Sequence, residues 1–406
     1  MGWNHWNTFG CDPTEDIILQ TAQALVDTGL NIVVDDCWHA ESRDLDTGAP
    51  KEDLTKFPHG LKWLSDQLHT MGLKFGIYSS AGTFTCGGHF GSLGYEEIDA
   101  KTYAEWGVDY LKYDNCNNEG QSGTPKLSYD RFNKMREALK ATGRPILYAL
   151  CNWGEDQPWN WAGTIAHSWR ISGDIHDASH EFSGFDPRCP CTSMLDCKLP
   201  GWHCSVTRII DFAALLVAKI GSGRWNDMDM LEVGRGGMNQ EEYSKSGAVV
   251  VTHFSMWAFL KSPLILGHDI RNTDNTTLEI ITNEEIIAIN QDTRAAQPVR
   301  KINRLLKSSA GEEDGTLSVW TVSLSTYPTN AIAVLNTGSE TQSLTLEFAE
   351  IWSDAANLQN LTYDFVDLWQ KNGSGKWGQS VGKFSQSFEV SVEPHQTKVF
   401  KVIAQS

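Results

Sequence analysis

The feature that most constrains this chain is an alternation of two periodicities. From residue 1 to about residue 290, short runs rich in β-branched and aromatic residues alternate with amphipathic helical stretches. The runs are "GWNHW", "NIVVDDCW", "LKFGIYSS", "VDYLKYDNC", "PILYALCNW", "SWRISGDI", "RWNDMDML" and "PLILGHD". Between them lie stretches such as "TEDIILQTAQALVDTG", in which Thr14 is placed to cap a helix and Gly29 to stop it. Its Ile17, Ile18, Ala22, Leu25 and Val26 fall on one helical stripe. "SYDRFNKMREALKATG" and "NEEIIAINQD" follow the same pattern. Alternation of this kind predicts an α/β fold, a closed (β/α)8 TIM barrel. An open doubly wound sheet is the rival, disfavoured because no run carries a glycine-rich phosphate loop.

Beyond about residue 300 the pattern changes. "GTLSVWTVSL", "NAIAVLNTG", "QSLTLEF", "NLTYDFVDLW", "SFEVSV" and "TKVFKVIA" read as strands separated by turn residues, with no long helical stretch. The expected organisation is a barrel over 1–300 and an antiparallel β-sandwich domain over 301–406. No low-complexity linker separates them, so the second domain is expected to pack on the first.

Charge and cysteine usage narrow the class. A net charge of −18 argues against nucleic acid, whose binders carry basic stripes. No apolar run approaches the length of a spanning helix, so no membrane is expected. The opening "MGWNHW" has neither the basic start nor the apolar core of a secretory signal, but nine cysteines favour an oxidising compartment, and a secreted protein is expected. Glycan-acceptor triplets at Asn275, Asn360 and Asn372 agree with that.

Polar residues collect where the runs end: Asp35 and Asp36, Tyr78, Asp114, Asn152 and Trp153, Asp174, Asp227 and Asp229, Asp269. In a barrel the C-terminal strand ends line the active site. In "LKYDNC", alternation places Lys112, Asp114 and Cys116 on one face, and the ammonium is expected to favour an ionised Asp114. An oriented, ionised Asp is what covalent sugar chemistry needs, although an ion pair closing the barrel top would look the same. In "WRISGDI", Arg170 and Asp174 sit two strands on, across a closed barrel from Asp114. Retaining glycosidases use two carboxyls about 5–5.5 Å apart, one as nucleophile and one as acid then base. Asp174 would be the protonated partner, its pKa raised by Asp114, with Arg170 locking it and holding sugar hydroxyls. Asp35 and Asp36 cannot both face inward on a regular strand and are expected to straddle the bend that ends strand two. Trp6, Trp38, Trp153 and Trp225 all fall at run ends, and four flat apolar faces at one rim would suit a pyranose. No pair of strand-end histidines has metal spacing, so neither a metal nor another cofactor is expected; His39, His167, His176 and His268 are scattered.

"MGWNHWNTFGC", "DDCW", "GIYSSAGTFTCGG", "YLKYDNC", "WRISGDI", "WNDMDMLEVG" and "IIAINQD" together resemble glycoside hydrolase family 27, the α-galactosidases and α-N-acetylgalactosaminidases. "LCNWG" and the insert "RCPCTSMLDCKLPGWHC" are similar to the fungal secreted α-galactosidases. The resemblance implies a retaining hydrolase of terminal α-linked galactose, with Asp114 as nucleophile and Asp174 as acid/base. It implies Asp35 and Asp36 on the O4 and O6 hydroxyls and Lys112 and Arg170 on the others. Trp6, Tyr78 and Trp153 would line the pocket, and Asp229 with Met230 would support its floor. Many animal and plant members carry Glu where Asn152 stands, near the sugar's 2-substituent; bulk there favours a 2-hydroxyl over an N-acetyl group. Cys11–Cys37 and Cys86–Cys116 are the bridges the resemblance implies, with Cys189–Cys204 and Cys191–Cys197 as nested pairs in the insert. Cys151 is then left over as a small group in the pocket wall. Zinc held by the clustered cysteines ranks below disulfides, because Cys-Pro-Cys lacks the usual spacer. An α-N-acetylgalactosaminidase and a catalytically silent galactose-binding protein are the alternatives.

Overall fold

The computed structural model describes residues 1–26, 31–176, 202–238, 248–308, 311–326 and 328–405. Eight parallel strands form one sheet: β1 (Gly2–Asn4), β2 (Asn31–Val34), β3 (Phe75–Ser80), β4 (Tyr110–Asp114), β5 (Leu147–Cys151), β6 (Ser168–Arg170), β7 (Trp225–Asp227) and β8 (Ile265–Leu266). Their order is β8-β1-β2-β3-β4-β5-β6-β7. The ring closes just past β7, where the Leu231 N–H donates to the Ile265 carbonyl at 2.7 Å and the Gly267 N–H to the Leu231 carbonyl at 3.1 Å. This is the closed (β/α)8 barrel that the alternation predicts.

Two of the barrel helices start at threonine caps. Thr14 is extended (φ −129°) and its hydroxyl accepts the Ile17 N–H, opening helix Glu15–Leu25, which buries Ile18, Ala22 and Leu25. Gly29, the expected stop, lies outside the described residues. Thr124 caps Pro125–Ala141 in the same way, with proline in the first turn where no N–H is needed.

The second unit has eight antiparallel strands: β9 (Val299–Lys307), β10 (Glu313–Ser323), β11 (Thr329–Asn336), β12 (Gln342–Glu347), β13 (Thr362–Lys371), β14 (Trp377–Ser385), β15 (Ser387–Val392) and β16 (Thr397–Ala404). Six make a sheet in the order β9-β10-β11-β16-β13-β14, and β12 pairs with β15 as a second layer. Alternation assigns the two faces of the large sheet. Leu317, Val319, Ile332, Val334, Phe400 and Val402 enter the core between the two layers. Their neighbours Trp320, Val322, Ala331, Ala333, Leu335 and Val399 turn the other way and join the core of the barrel. The central strands of the sheet are thus buried on both faces. Hydrogen bonds key the seam: the Trp369 indole N–H donates to the Ser255 hydroxyl at 2.8 Å, and Asp292 accepts the Ser325 N–H and hydroxyl.

Candidate active site

The C-terminal ends of the barrel strands carry a dense set of buried charges. β2 ends at Val34, and the next residues turn sharply because Cys37 has φ 71°. Asp35 and Asp36 therefore straddle a bend, as expected, and point to different partners. One Asp35 oxygen accepts from Lys112 Nζ at 2.8 Å and from Asn4 Nδ2 at 2.5 Å. Asp36 accepts the Gly87 N–H at 2.7 Å and the Cys37 N–H at 2.7 Å. Burial pushes the Asp36 carboxyl upward, against these N–H donors. Asp35 is held below the usual range: Lys112, the His5 side chain and Asn4 together outweigh its burial.

Pairing of Lys112 with Asp35 revises the expected environment of Asp114. The ammonium is committed across the barrel, and Asp114 is pushed up to about 7, chiefly by burial, with the Asp174 charge adding to it. Lys112, the Asn115 N–H and the Tyr78 hydroxyl pull the other way without winning. The Asp114 carboxylate accepts from Tyr78 Oη at 2.8 Å on one oxygen and from the Asn115 N–H at 2.9 Å on the other. Strand register sets Lys112 beside Tyr78 and Asp114 beside Cys151. Cys116 does not share their face, because β4 stops at Asp114 and Cys116 lies in the loop beyond, bridged to Cys86.

Arg170, at the end of β6, is buried and shared between two acids. Its Nη2 lies 3.0 Å from Asp174 Oδ1 and 2.9 Å from Asp229 Oδ2. Asp174 itself stands on a two-residue strand, Asp174–Ile175, that leaves the barrel and pairs with Trp202–Cys204. It is the more exposed partner, with 28 % of its side chain accessible against 8 % for Asp229. Asp229 (φ 79°) also accepts the Ile175 and Met230 N–H groups, so it anchors the segment carrying Asp174. Cys151 is a buried free thiol; Arg170 Nη1 approaches its sulfur at 3.5 Å, and burial pushes the thiol well up. Asn152 donates back to the Glu155 carbonyl at 2.8 Å, and the following turn is left-handed at Trp153 (φ 53°) and Gly154 (φ 80°). A β-carbon at Gly154 would meet the Ile171 carbonyl oxygen at 2.4 Å, so only glycine fits.

The bridges Cys11–Cys37 and Cys86–Cys116 are present. Cys189, Cys191 and Cys197 lie outside the described residues, and the two nested pairs with them. The tryptophan rim needs correction. Trp38 is fully buried, stacked on His39 and edge-on to Phe90, Tyr103 and Trp106, with its N–H on the Tyr78 carbonyl. Trp225 starts β7 beside Ser168, the first residue of β6, and so belongs to the opposite end of the barrel. Trp38 does follow the end of β2 but is sealed in the core, which leaves Trp6 and Trp153 of the four at the mouth. Asp36, Cys37 and His89 bring ligand-type atoms together, but the Cys37 sulfur is consumed in its bridge, which removes it as a metal ligand. Asn275 and Asn360 are exposed; Asn372 is half-buried, its side-chain oxygen accepting the Ser374 N–H and hydroxyl. Asn4 and Asn115 lie within the motifs "MGWNHWNTFGC" and "YLKYDNC", which do not single them out, and Arg131 and Glu155, also engaged around these acids, lie outside the motifs of the resemblance.

Clustered carboxylates with cationic partners at the strand ends of a (β/α)8 barrel are an arrangement that two-carboxylate glycosidases use. Comparison with known proteins makes the assignment specific. The family model described as alpha galactosidase A matches residues 1–185 and 194–292, and that of the alpha galactosidase C-terminal beta sandwich domain matches residues 314–402. The α-galactosidase mel1 of Schizosaccharomyces pombe is 48% identical over 362 residues, covering 87% of this chain and 79% of its own. The crystal structure of α-galactosidase I from Mortierella vinacea superposes with a TM-score of 0.85 at 47% identity, covering 99% of this chain and 96% of that one. The Saccharomyces cerevisiae α-galactosidase with raffinose gives a TM-score of 0.90 at 36% identity, covering 100% and 97%. The chain belongs to the α-galactosidase family, glycoside hydrolase family 27.

Proposed function

We propose that this protein is a secreted, retaining α-galactosidase that removes terminal α-linked galactose from oligosaccharides, galactomannan side chains or simple galactosides. The observation that carries the reading is the charge of Asp174 acting on the buried Asp114 at the barrel mouth, where Lys112 is bonded to Asp35 and Arg170 to Asp174 and Asp229. Asp114, oriented by Tyr78 and the Asn115 N–H, attacks the anomeric carbon while Asp174 protonates the departing glycosidic oxygen. As Asp114 becomes an ester, Asp174, now ionised, takes a proton from water, which attacks the same carbon and releases galactose with its configuration retained. Asp35 and Asp36 accept sugar hydroxyls; Lys112 holds Asp35, Arg170 holds Asp174, and both reach the remaining hydroxyls. Trp6, Tyr78, Cys151 and Trp153 wall the pocket, and Asp229 fixes the Asp174 segment. Residues 1–300 form the catalytic unit and 301–406 a β unit supporting it. No cofactor enters this scheme.

The test compares two variants on two substrates. Asp174→Asn should lose on the order of 10²–10⁴ in turnover of an alkyl α-galactoside; on α-galactosyl fluoride, whose leaving group needs no proton, it should still form the glycosyl-enzyme rapidly, and added azide, which attacks without a base, should restore turnover. Asp114→Asn should be inactive on both. Residual Asp114→Asn activity within about tenfold of the parent would exclude it as nucleophile.

A further inference from the structure

Asp114 is held by a closed circuit of hydrogen bonds that runs through a helix on the outside of the barrel. The Asp114 carbonyl accepts the Ala81 N–H at 2.8 Å, just past the end of β3. The Ala81 carbonyl accepts from Arg131 Nη1 at 2.7 Å. Arg131 Nη2 donates to the side-chain oxygen of Asn115, and the Asn115 N–H returns to the Asp114 carboxylate. The other side of the Asn115 amide donates to Glu155, whose main chain exchanges hydrogen bonds with Asn152 beyond β5. Arg131 comes from helix Pro125–Ala141 and is 1 % exposed; its third donor, Nε, is spent on the Gln121 carbonyl at 2.9 Å.

A guanidinium buried this deeply is costly unless its donors are satisfied and its charge is answered. Among the described residues no carboxylate bonds it directly. Burial lowers its pKa, and Tyr113, Glu155, Tyr148 and Asp156 oppose that shift without cancelling it. An apolar residue would fill this position in the helix at less cost, so the position needs an explanation other than packing. What the guanidinium does is join the ends of β3, through Ala81, and β4, through Asn115, and the Asn115 amide carries the link on past β5 to Glu155. Asp114 sits at the centre of the three.

We infer that Arg131, Asn115 and Glu155 are positioning residues that set the angle of the Asp114 carboxylate for attack on the anomeric carbon. The amide of Asn115 has one rotational freedom that matters, and it is removed by an obligate donor on one side and an acceptor on the other. With the side chain fixed, the Asn115 N–H is fixed, and so is the Asp114 oxygen that accepts it. The other carboxylate oxygen is held by Tyr78 from β3. The circuit therefore presents the nucleophile in one rotamer without any contact from Arg131 to substrate. This inference rests on Asp114 being the nucleophile.

The experiment uses the full chain and four variants: Asn115→Ala, Arg131→Lys, Glu155→Gln and, as reference, Asp114→Asn. Readouts are kcat/KM for an aryl α-galactoside across pH, the inhibition constant of free galactose, and the thermal midpoint. Asn115→Ala and Arg131→Lys should lower kcat/KM on the order of tenfold to a hundredfold, because a misplaced nucleophile cannot reach a near-attack geometry. The acidic limb of the profile should move to higher pH, since the Asn115 N–H is among the groups favouring ionised Asp114. The groups facing that carboxylate, Lys112, Asp174, Tyr78 and Cys151, are unaltered in these variants. Galactose inhibition should stay within about twofold, because the hydroxyl-binding residues are untouched. Glu155→Gln keeps an acceptor for the Asn115 amide and should behave like the parent. A purely structural role would lower the midpoint in Asn115→Ala and Arg131→Lys with no change in the acidic limb, and would overturn the inference. If Asp114→Asn retained turnover, the assignment of the nucleophile would fail first; an inactive Asp114→Asn with unshifted profiles in the other variants would overturn the circuit alone.

Discussion

The mouth of the barrel and the seam beneath the β unit are both largely buried, yet they are filled with opposite chemistry. At the mouth, Asp35, Asp36, Asp114, Arg170 and Asp229 are all buried, packed with Lys112 in a lattice of charge-assisted bonds. At the seam, Trp320, Val322, Ala331, Ala333, Leu335 and Val399 join the barrel core with hardly a charge among them. Buried apolar surface stabilises by about 25 cal/mol per Å², whereas buried carboxylates cost free energy unless every oxygen is engaged. The difference shows a division of labour. The seam supplies stability, and the mouth spends it on groups held ready for a substrate.

The largest effect that sharpens this contrast is at the seam. Trp320 is fully buried, and its indole N–H is satisfied locally by the Ser318 hydroxyl. Trp320→Ala should cost about 3–5 kcal/mol in denaturant unfolding. The folded fraction should keep the parent's kcat/KM, and a drop in activity at temperatures where the variant is fully folded would mean that the seam also shapes the site.

A smaller effect of opposite sign is expected at the mouth. Burial raises the Asp114 carboxyl in the folded state to about 7, well above its ordinary value of 3.8. Folding therefore favours the protonated form: the contribution is complete below about pH 3.8 and is lost as pH rises through about 7. Above that, the ionised group destabilises the fold by up to about 4 kcal/mol. Asp114→Asn should then be more stable than the parent at pH 8, with the gap closing toward pH 4. A variant less stable at pH 8 would mean that Lys112, Tyr78 and the Asn115 N–H already compensate the charge in full.

Much of this was legible before any coordinates. Periods of two and 3.6 residues, with Thr14 at a helix start, predict a barrel, and the structure has one. Acids after β2, β4 and β6 mark the mouth, because turn residues alone do not place so many at alternate strand ends. Pairing was harder to read. Lys112 and Asp114 share a face, but alternation says nothing about which acid across the barrel an ammonium will reach, and Asp35 is the one it reaches. Trp38 and Trp225 were misplaced for a related reason: a residue at the edge of an apolar run can lie inside the core or at the other end of the barrel, and composition does not distinguish these. Arg131 was invisible because a cation within an amphipathic helix reads as solvent-facing, and only the tertiary fold turns it toward Asn115.

The central claim is that Asp114 forms a covalent bond to galactose. The direct measurement is peptide mass spectrometry after inactivation by 5-fluoro-α-galactosyl fluoride, whose ring fluorine slows release of the glycosyl-enzyme more than its formation. The account predicts one added fluorogalactosyl group on the peptide containing Asp114, and none in Asp114→Asn. A label on Asp174, Asp229 or any other residue, or time-dependent inactivation of Asp114→Asn, would contradict it.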